Sequence, residues 1–169
     1  TLDRSSAASD VYKRQTNSNG AELWITDGTT TNTKLVKNIN AGAADSFPQD
    51  FIALGNGKVL FRADNGTNGV ELWISDGTSA GTTLVKDINT GSGSSNPFYF
   101  TSLGNGQVLF NATDGVNGEE LWVSDGTTAG TVLAKEINGN PTGNANPSGF
   151  TALVAPVSNH APSLTGSPA

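Results

Sequence analysis

Six carboxylates recur at fixed spacing along the chain, and they are the first residues to test for chemistry. Glu22, Glu71 and Glu120 lie 49 residues apart, and Asp27, Asp76 and Asp125 follow them, each five residues later. Two carboxylates facing one bond are the machinery of glycoside hydrolysis. Such machinery is normally built once per protein, whereas this pair returns in every copy of a repeat. The pattern therefore reads as framework, and the chain as non-enzymatic with no catalytic residue. The Glu starts a strand, and the Asp opens a turn by hydrogen-bonding its own backbone. Lys37, Lys86 and Lys135 share the period and end the returning strand. A Glu71–Lys86 cross-strand pair is expected to contribute about 0.2–1 kcal/mol.

Calcium is the next chemistry to weigh. The run DNGTNG at 64–69 resembles a calcium loop, which gathers several oxygens in one tight turn. The candidate ligands are Asp64 and Asn68, with Asp114 and Asn117 in the following copy. Gly66 stands where the pattern needs an oxygen, and the acid shifts register between copies, so a plain hairpin turn is the better reading. No cofactor is expected, with calcium as the weak alternative. A row of Trp24, Trp73 and Trp122 could stack on sugars, but their Leu and Ile neighbours favour core positions with a partner for each indole N–H. The one histidine, His160, sits in a Pro- and Ser-rich stretch and reads as an exposed bystander.

Composition narrows the classes further. The chain has no Cys, 21 Gly and a net charge of −6. Disulfides and thiolate metal sites are excluded, and the acidic balance argues against nucleic acid, which is bound by neutralising phosphates. No apolar run approaches the roughly 20 residues a membrane helix needs.

The elements that carry these residues follow from the 49-residue period, a length typical of propeller blades. Each period holds four short strands: a (98–103), b (107–112), c (119–124) and d (131–137). Asn-Gly and Asp-Gly turns join them into a meander. Apolar residues fall on both faces: Leu72 and Ile74 oppose Trp73 in strand c, and Val59 and Phe61 oppose Leu60 in strand b. Sheets of this kind are covered on both sides. The expected fold is all-β, a propeller-like array of four-stranded antiparallel meander blades forming an open arc that associates when isolated. A stacked β-solenoid is the alternative.

The phrase ELWISDGTSAGTTLVKDIN at 71–89 recurs as ELWITDGTTTNTKLVKNIN at 22–40 and ELWVSDGTTAGTVLAKEIN at 120–138. It resembles the ELWxxDGT repeat of large bacterial exported proteins over residues 16–153. The resemblance implies a propeller-like architecture, an extracellular or cell-surface location and no defined reaction. The first copy departs where Asn32 replaces the Gly of AGT, which predicts a different turn there.

Residues 1–15 resemble a translated sequencing adapter: SSAASDVYKRQ at 5–15 matches it codon by codon. They are expected to be a non-native, disordered tail. The repeats then occupy 16–154, as a partial blade at 16–39 without strands a and b, blades at about 51–88 and 98–137, and a further strand beginning at 150–154. Residues 155–169 read as a linker opening onto a cadherin- or immunoglobulin-like domain.

The expected function is an adhesion or scaffold module. Its partners would be a protein or glycan at the inter-repeat loops, such as 89–97, and the neighbouring blades and domains of the full-length protein. The alternatives are an accessory domain of a secreted polysaccharide-active enzyme and a calcium-dependent surface repeat.

Overall fold

The computed structural model describes residues 11–137, 143–145 and 147–149. Every regular element among them is a β-strand, and the eleven strands form three antiparallel sheets. The first sheet contains β1 (Val11–Asn17), β2 (Gly20–Thr26) and β3 (Lys34–Lys37). The second contains β4 (Gln49–Ala53), β5 (Val59–Asp64), β6 (Val70–Ser75) and β7 (Thr83–Lys86). The third contains β8 (Phe98–Ser102), β9 (Val108–Thr113), β10 (Glu119–Ser124) and β11 (Val132–Lys135). The two complete sheets are the meanders expected from the turn chemistry, with strands a to d in chain order. Glycines at positive φ, Gly55 and Gly57 among them, make the reversals that residues with a Cβ adopt at a cost.

Alternation along each strand builds the stack. Leu23, Ile25 and Val36 of the first sheet enclose a core with Phe61, Ala63 and Trp73 of the second. The opposite face of the second sheet contributes Leu60, Leu72, Ile74 and Val85 to a core with Val108, Phe110, Ala112 and Trp122 of the third. A sheet buried on both faces needs apolar residues at consecutive positions, which is why Leu72, Trp73 and Ile74 run unbroken. Each fully buried Leu or Phe contributes about 1.5–3 kcal/mol. Phe51 stacks on Phe61, and Phe100 on Phe110, at centroid separations of 5.4 and 5.5 Å, so each strand a is tied to its strand b in the same way.

Lysines stitch the sheets together from their edges. Lys37 Nζ donates to the Thr82 carbonyl at 2.7 Å, and Lys86 Nζ to the Thr131 carbonyl at 2.7 Å. Each bond runs from the last strand of one sheet to the c–d connection of the next. Lys86 also lies 6.0 Å from the centroid of the Trp122 ring. These contacts replace the expected Glu71–Lys86 pair. A register shift between Leu72 and Trp73 sets Lys86 opposite Leu72, and Glu71 turns inward. The same shift occurs between Leu23 and Trp24 and between Leu121 and Trp122.

The first sheet departs from expectation. Val11–Asn17 pairs along the whole of β2, so residues 11–15, expected in a disordered tail, occupy the place of strand b. The free edge of β2 recruits a neighbour through backbone hydrogen bonds, and these accept almost any extended sequence. Residues 1–10 lie outside the described residues, as do the expected strand at 150–154, the segment 155–169 and His160.

Candidate functional site

The recurring acids are built into the framework. Glu71 is fully buried. Its Oε2 accepts the Ile88 amide at 2.9 Å and the Ser95 hydroxyl at 2.5 Å, while Oε1 accepts the amides of Ser95 at 2.9 Å and Asn89 at 3.3 Å. Glu22 repeats the clasp with Ile39, Asn40 and Ser46. Glu120 accepts the Ile137 amide at 2.8 Å. Each Glu thus holds the loop that leaves strand d for the next sheet. Burial pushes the Glu22 and Glu71 carboxyls above the ordinary value, against the hydrogen bonds they accept. A carboxylate whose acceptor sites are filled by its own backbone is a structural clasp.

The aspartates do the turn work expected of them. Asp76 Oδ1 accepts both the amide (2.9 Å) and the hydroxyl (2.7 Å) of Thr78, and Asp27 and Asp125 do the same for Thr29 and Thr127. Those bonds lower all three aspartates, Asp27 to about 2, with the threonine hydroxyl as the leading cause. The first turn keeps this pattern despite Asn32. Its backbone amide reaches Thr29 Oγ1, as that of Gly81 reaches Thr78 Oγ1. A Cβ at Gly81 would run into the Asp76 carboxylate, whereas Asn32 Nδ2 donates to Asp27 at 2.5 Å. The expected change of turn is therefore absent, because the added side chain becomes a donor to the acid it would otherwise crowd.

The calcium candidates lie in the two b–c turns. Asp64 accepts the Gly66 amide, and Asn68 receives the Asn65 amide group while donating to Asp87. Asp114 accepts the amides of Val116 and Asn117 and the Asn117 side chain. The structure thus places Asp64 and Asn68 in one turn without a bond between them, and joins Asp114 to Asn117 in the other. Among the described residues no three His, Cys, Asp or Glu side chains gather as a metal-binding group. Trp73 and Trp122 are buried in the two cores, while Trp24 is half-buried and joins neither. The expected partners of their indole N–H groups are not found among the described residues.

The inter-repeat loops differ in sequence, which makes them the expected recognition surface, yet they share one hydrogen-bond scheme. Asp45 Oδ1 accepts the Ala21 amide at 2.6 Å, Ser94 Oγ the Val70 amide at 3.0 Å, and Asn144 Oδ1 the Glu119 amide at 3.0 Å. Three different residues act as the same acceptor at the start of strand c. Much of the loop variation is thus interchangeable capping.

Variation without such an explanation sits just beyond, where each loop enters strand a. Phe47, Asp50, Asn96 and Tyr99 are the non-glycine residues with positive φ among the described residues, at 46°, 58°, 45° and 57°. Phe47 and Asn96 are equivalent, as are Asp50 and Tyr99, and Gly149 holds the place of Asp50 and Tyr99 in the third copy, with φ 70°. The strand bulges there: register shifts separate Gln49 from Ile52 and Phe98 from Thr101. Left-handed backbone costs a bulky residue about 1–3 kcal/mol. Phe47 and Tyr99 nevertheless remain 49% and 54% exposed. Asp50 is anchored by Arg62 Nε at 2.7 Å, and Arg62 also donates to Gln49 at 3.0 Å. Asp50, Phe51, Tyr99 and Phe100 line a shared shallow groove of about 220 Å³. Sequence reading misses these residues. The available signal is an Asp, Tyr, Gly series at one strand position, which suits no common burial role.

A larger cleft of about 670 Å³ opens between the first two sheets beside Asp27 and Asp76. Tyr12, from the adapter-like segment, forms part of its wall. Neither the family models, nor the curated proteins, nor the solved structures contain a match to this chain.

Proposed function

We propose that this chain is a non-enzymatic interaction module, a scaffold or adhesion segment of a larger exported protein. The observation that carries this reading is the fate of the repeated acids. Glu22 and Glu71 spend both oxygens on the loop that follows strand d, and the three aspartates spend Oδ1 on their own turns, which leaves the exposed, copy-specific side chains to meet partners. The finer architecture we propose is propeller-like. The two inter-sheet cores repeat one packing scheme, and β4 and β8, the first strands of adjacent sheets, approach each other as inner strands around an axis would. Export and surface location rest on the resemblance of the ELWxxDGT phrase.

The test is turnover. The full chain is incubated with soluble polysaccharides and with casein, and new reducing ends and new amino termini are measured. No release above buffer is expected. Release that disappears in Glu71→Gln, with folding intact, would replace the module with an enzyme.

An accessory role beside a polysaccharide-active domain is the second reading. The Tyr99–Asp50 groove favours it, since an exposed ring beside polar groups suits saccharides.

A further inference from the structure

The geometry points to a carbohydrate-binding surface at the entrance to strands β4 and β8, in which the Tyr99 ring stacks on a pyranose face and Asp50, braced by Arg62, hydrogen-bonds its hydroxyls. This rests on the interaction-module reading and adds a ligand class and a place.

Repeat equivalence supplies the main support. The position of Tyr99 demands left-handed backbone, and the third copy fills it with Gly149, the residue that adopts this conformation without strain. The position of Phe47 is Asn96 in the next copy, and Asn also tolerates this region. Each aromatic therefore stands where the fold is better served by a small or polar residue. Burial does not compensate, because about half of each ring faces solvent. Tyr99 leans on Phe98, at a centroid distance of 4.7 Å and a tilt of 54°, which limits the motion of its ring. A strained, exposed and braced aromatic is suited to contact with something outside the chain.

The polar groups indicate what that is. Asp50 is already neutralised by Arg62, so the site offers an acceptor and donors side by side rather than a free negative charge. Sugar hydroxyls both donate and accept, and a pyranose has an apolar C–H face to lay on a ring. A cationic ligand would instead need the Asp50 charge unpaired.

The test is native affinity electrophoresis of the full chain through gels containing hydroxyethylcellulose, laminarin, galactomannan, arabinoxylan or dextran. Retardation by at least one polymer is expected, and Tyr99→Gly should weaken it at least tenfold. That variant installs the residue of the third copy, so its melting temperature should be unchanged or higher. Passage unretarded through all five polymers would overturn the proposal, as would full retardation of Tyr99→Gly. A lowered melting temperature in Tyr99→Gly would assign the ring to packing and also overturn it. Polymer cleavage would instead defeat the module reading, so the two failures are distinguishable.

Discussion

The first and second sheets share the c–d hairpin that closes them and differ in the b–c hairpin before it. In β2–β3, Leu23, Trp24 and Ile25 face Lys37, Leu35 and Lys34. In β6–β7, Leu72, Trp73 and Ile74 face Lys86, Leu84 and Thr83, the same register moved by one period. The b–c hairpins diverge. Strand β5 passes to β6 with Asp64 opposite Val70, so five residues form the turn. Strand β1 passes to β2 with Asn17 opposite Gly20, leaving only Ser18 and Asn19 between them. Residues equivalent to turn positions 65 and 66, namely Thr16 and Asn17, are drawn into the strand. The comparison separates two kinds of specification. The c–d hairpin carries its own instructions in its apolar pattern, its DGT turn and its Glu clasp. The b strand is whatever extended chain reaches the edge of strand c.

The clasp should break the comparison most severely. Glu71→Ala leaves the amides of Ile88, Asn89 and Ser95 without their acceptor inside the protein. A loss of about 3–5 kcal/mol is expected in urea unfolding, from several unpaired buried donors together. Glu22→Ala should cost less, because the Ser46 amide, equivalent to that of Ser95, keeps a bond to the Ala21 carbonyl at 3.1 Å. Equal costs would show that the first sheet is as firmly specified as the second.

Glycine substitution comes next. Gly69 has φ 70°, and a Cβ there would lie 2.6 Å from the Gly93 carbonyl oxygen. Gly20 has φ 85° and faces the Ala44 carbonyl even more closely. Gly69→Ala and Gly20→Ala should each cost about 1–3 kcal/mol in thermal or urea unfolding, despite their different hairpins. A neutral Gly20→Ala would mean that the short hairpin has released the loop contact.

Removing residues 1–15 tests the edge directly. The amides of Glu22 and Trp24, which face β1, should exchange with solvent faster, while those of Trp73 and Trp122 keep their protection. Part of the loss comes from Tyr12, whose ring lies 6.1 Å from that of Phe51. Unfolding of the second sheet in the same experiment would show that β1 is essential to the stack.

The smallest expected effect is on pH dependence. Glu22 and Glu71 are raised by burial, so their contribution favours the folded state at low pH and is lost as pH rises through their folded values. Asp27, Asp76 and Asp125 are lowered by their turns. Their contribution is present above the ordinary aspartate value and is lost as pH falls toward the folded value, about 2 for Asp27. Stability by urea titration should therefore peak in weak acid, above the ordinary Asp value of 3.8. Glu71→Gln should flatten the neutral side of the peak and leave the acid side unchanged.

Particular residues show where sequence reading succeeds. Strand c at 119–124 and the chain order of the meander follow from β-branched and aromatic runs between Asn-Gly and Asp-Gly turns, which are local features. The DGT turns are local too, since an Asp reaches a Thr amide two residues away. For Glu71 the sequence indicates the right place, at the start of strand c, and the wrong partner. Its partners lie 17 to 24 residues away, and the register shift that turns it inward leaves no mark in an apolar pattern. The strand a site is illegible for the same reason: φ, exposure and the meeting of Asp50 with Arg62 emerge only once β4 and β5 pair.

The sequence by itself determined the all-β class, the 49-residue period, the meander of the two four-stranded sheets and the apolar residues on both faces of the second sheet. These depend on short-range backbone preference and on alternation, both of which are written in consecutive residues. Only the tertiary structure decided that Glu71 closes a loop, that Lys86 reaches across to the next sheet, and that Tyr99 is held exposed in a left-handed bulge beside the strand of Asp50. Those outcomes depend on which surfaces meet after the sheets stack, and a one-residue register change redirects them while leaving the hydrophobic pattern intact.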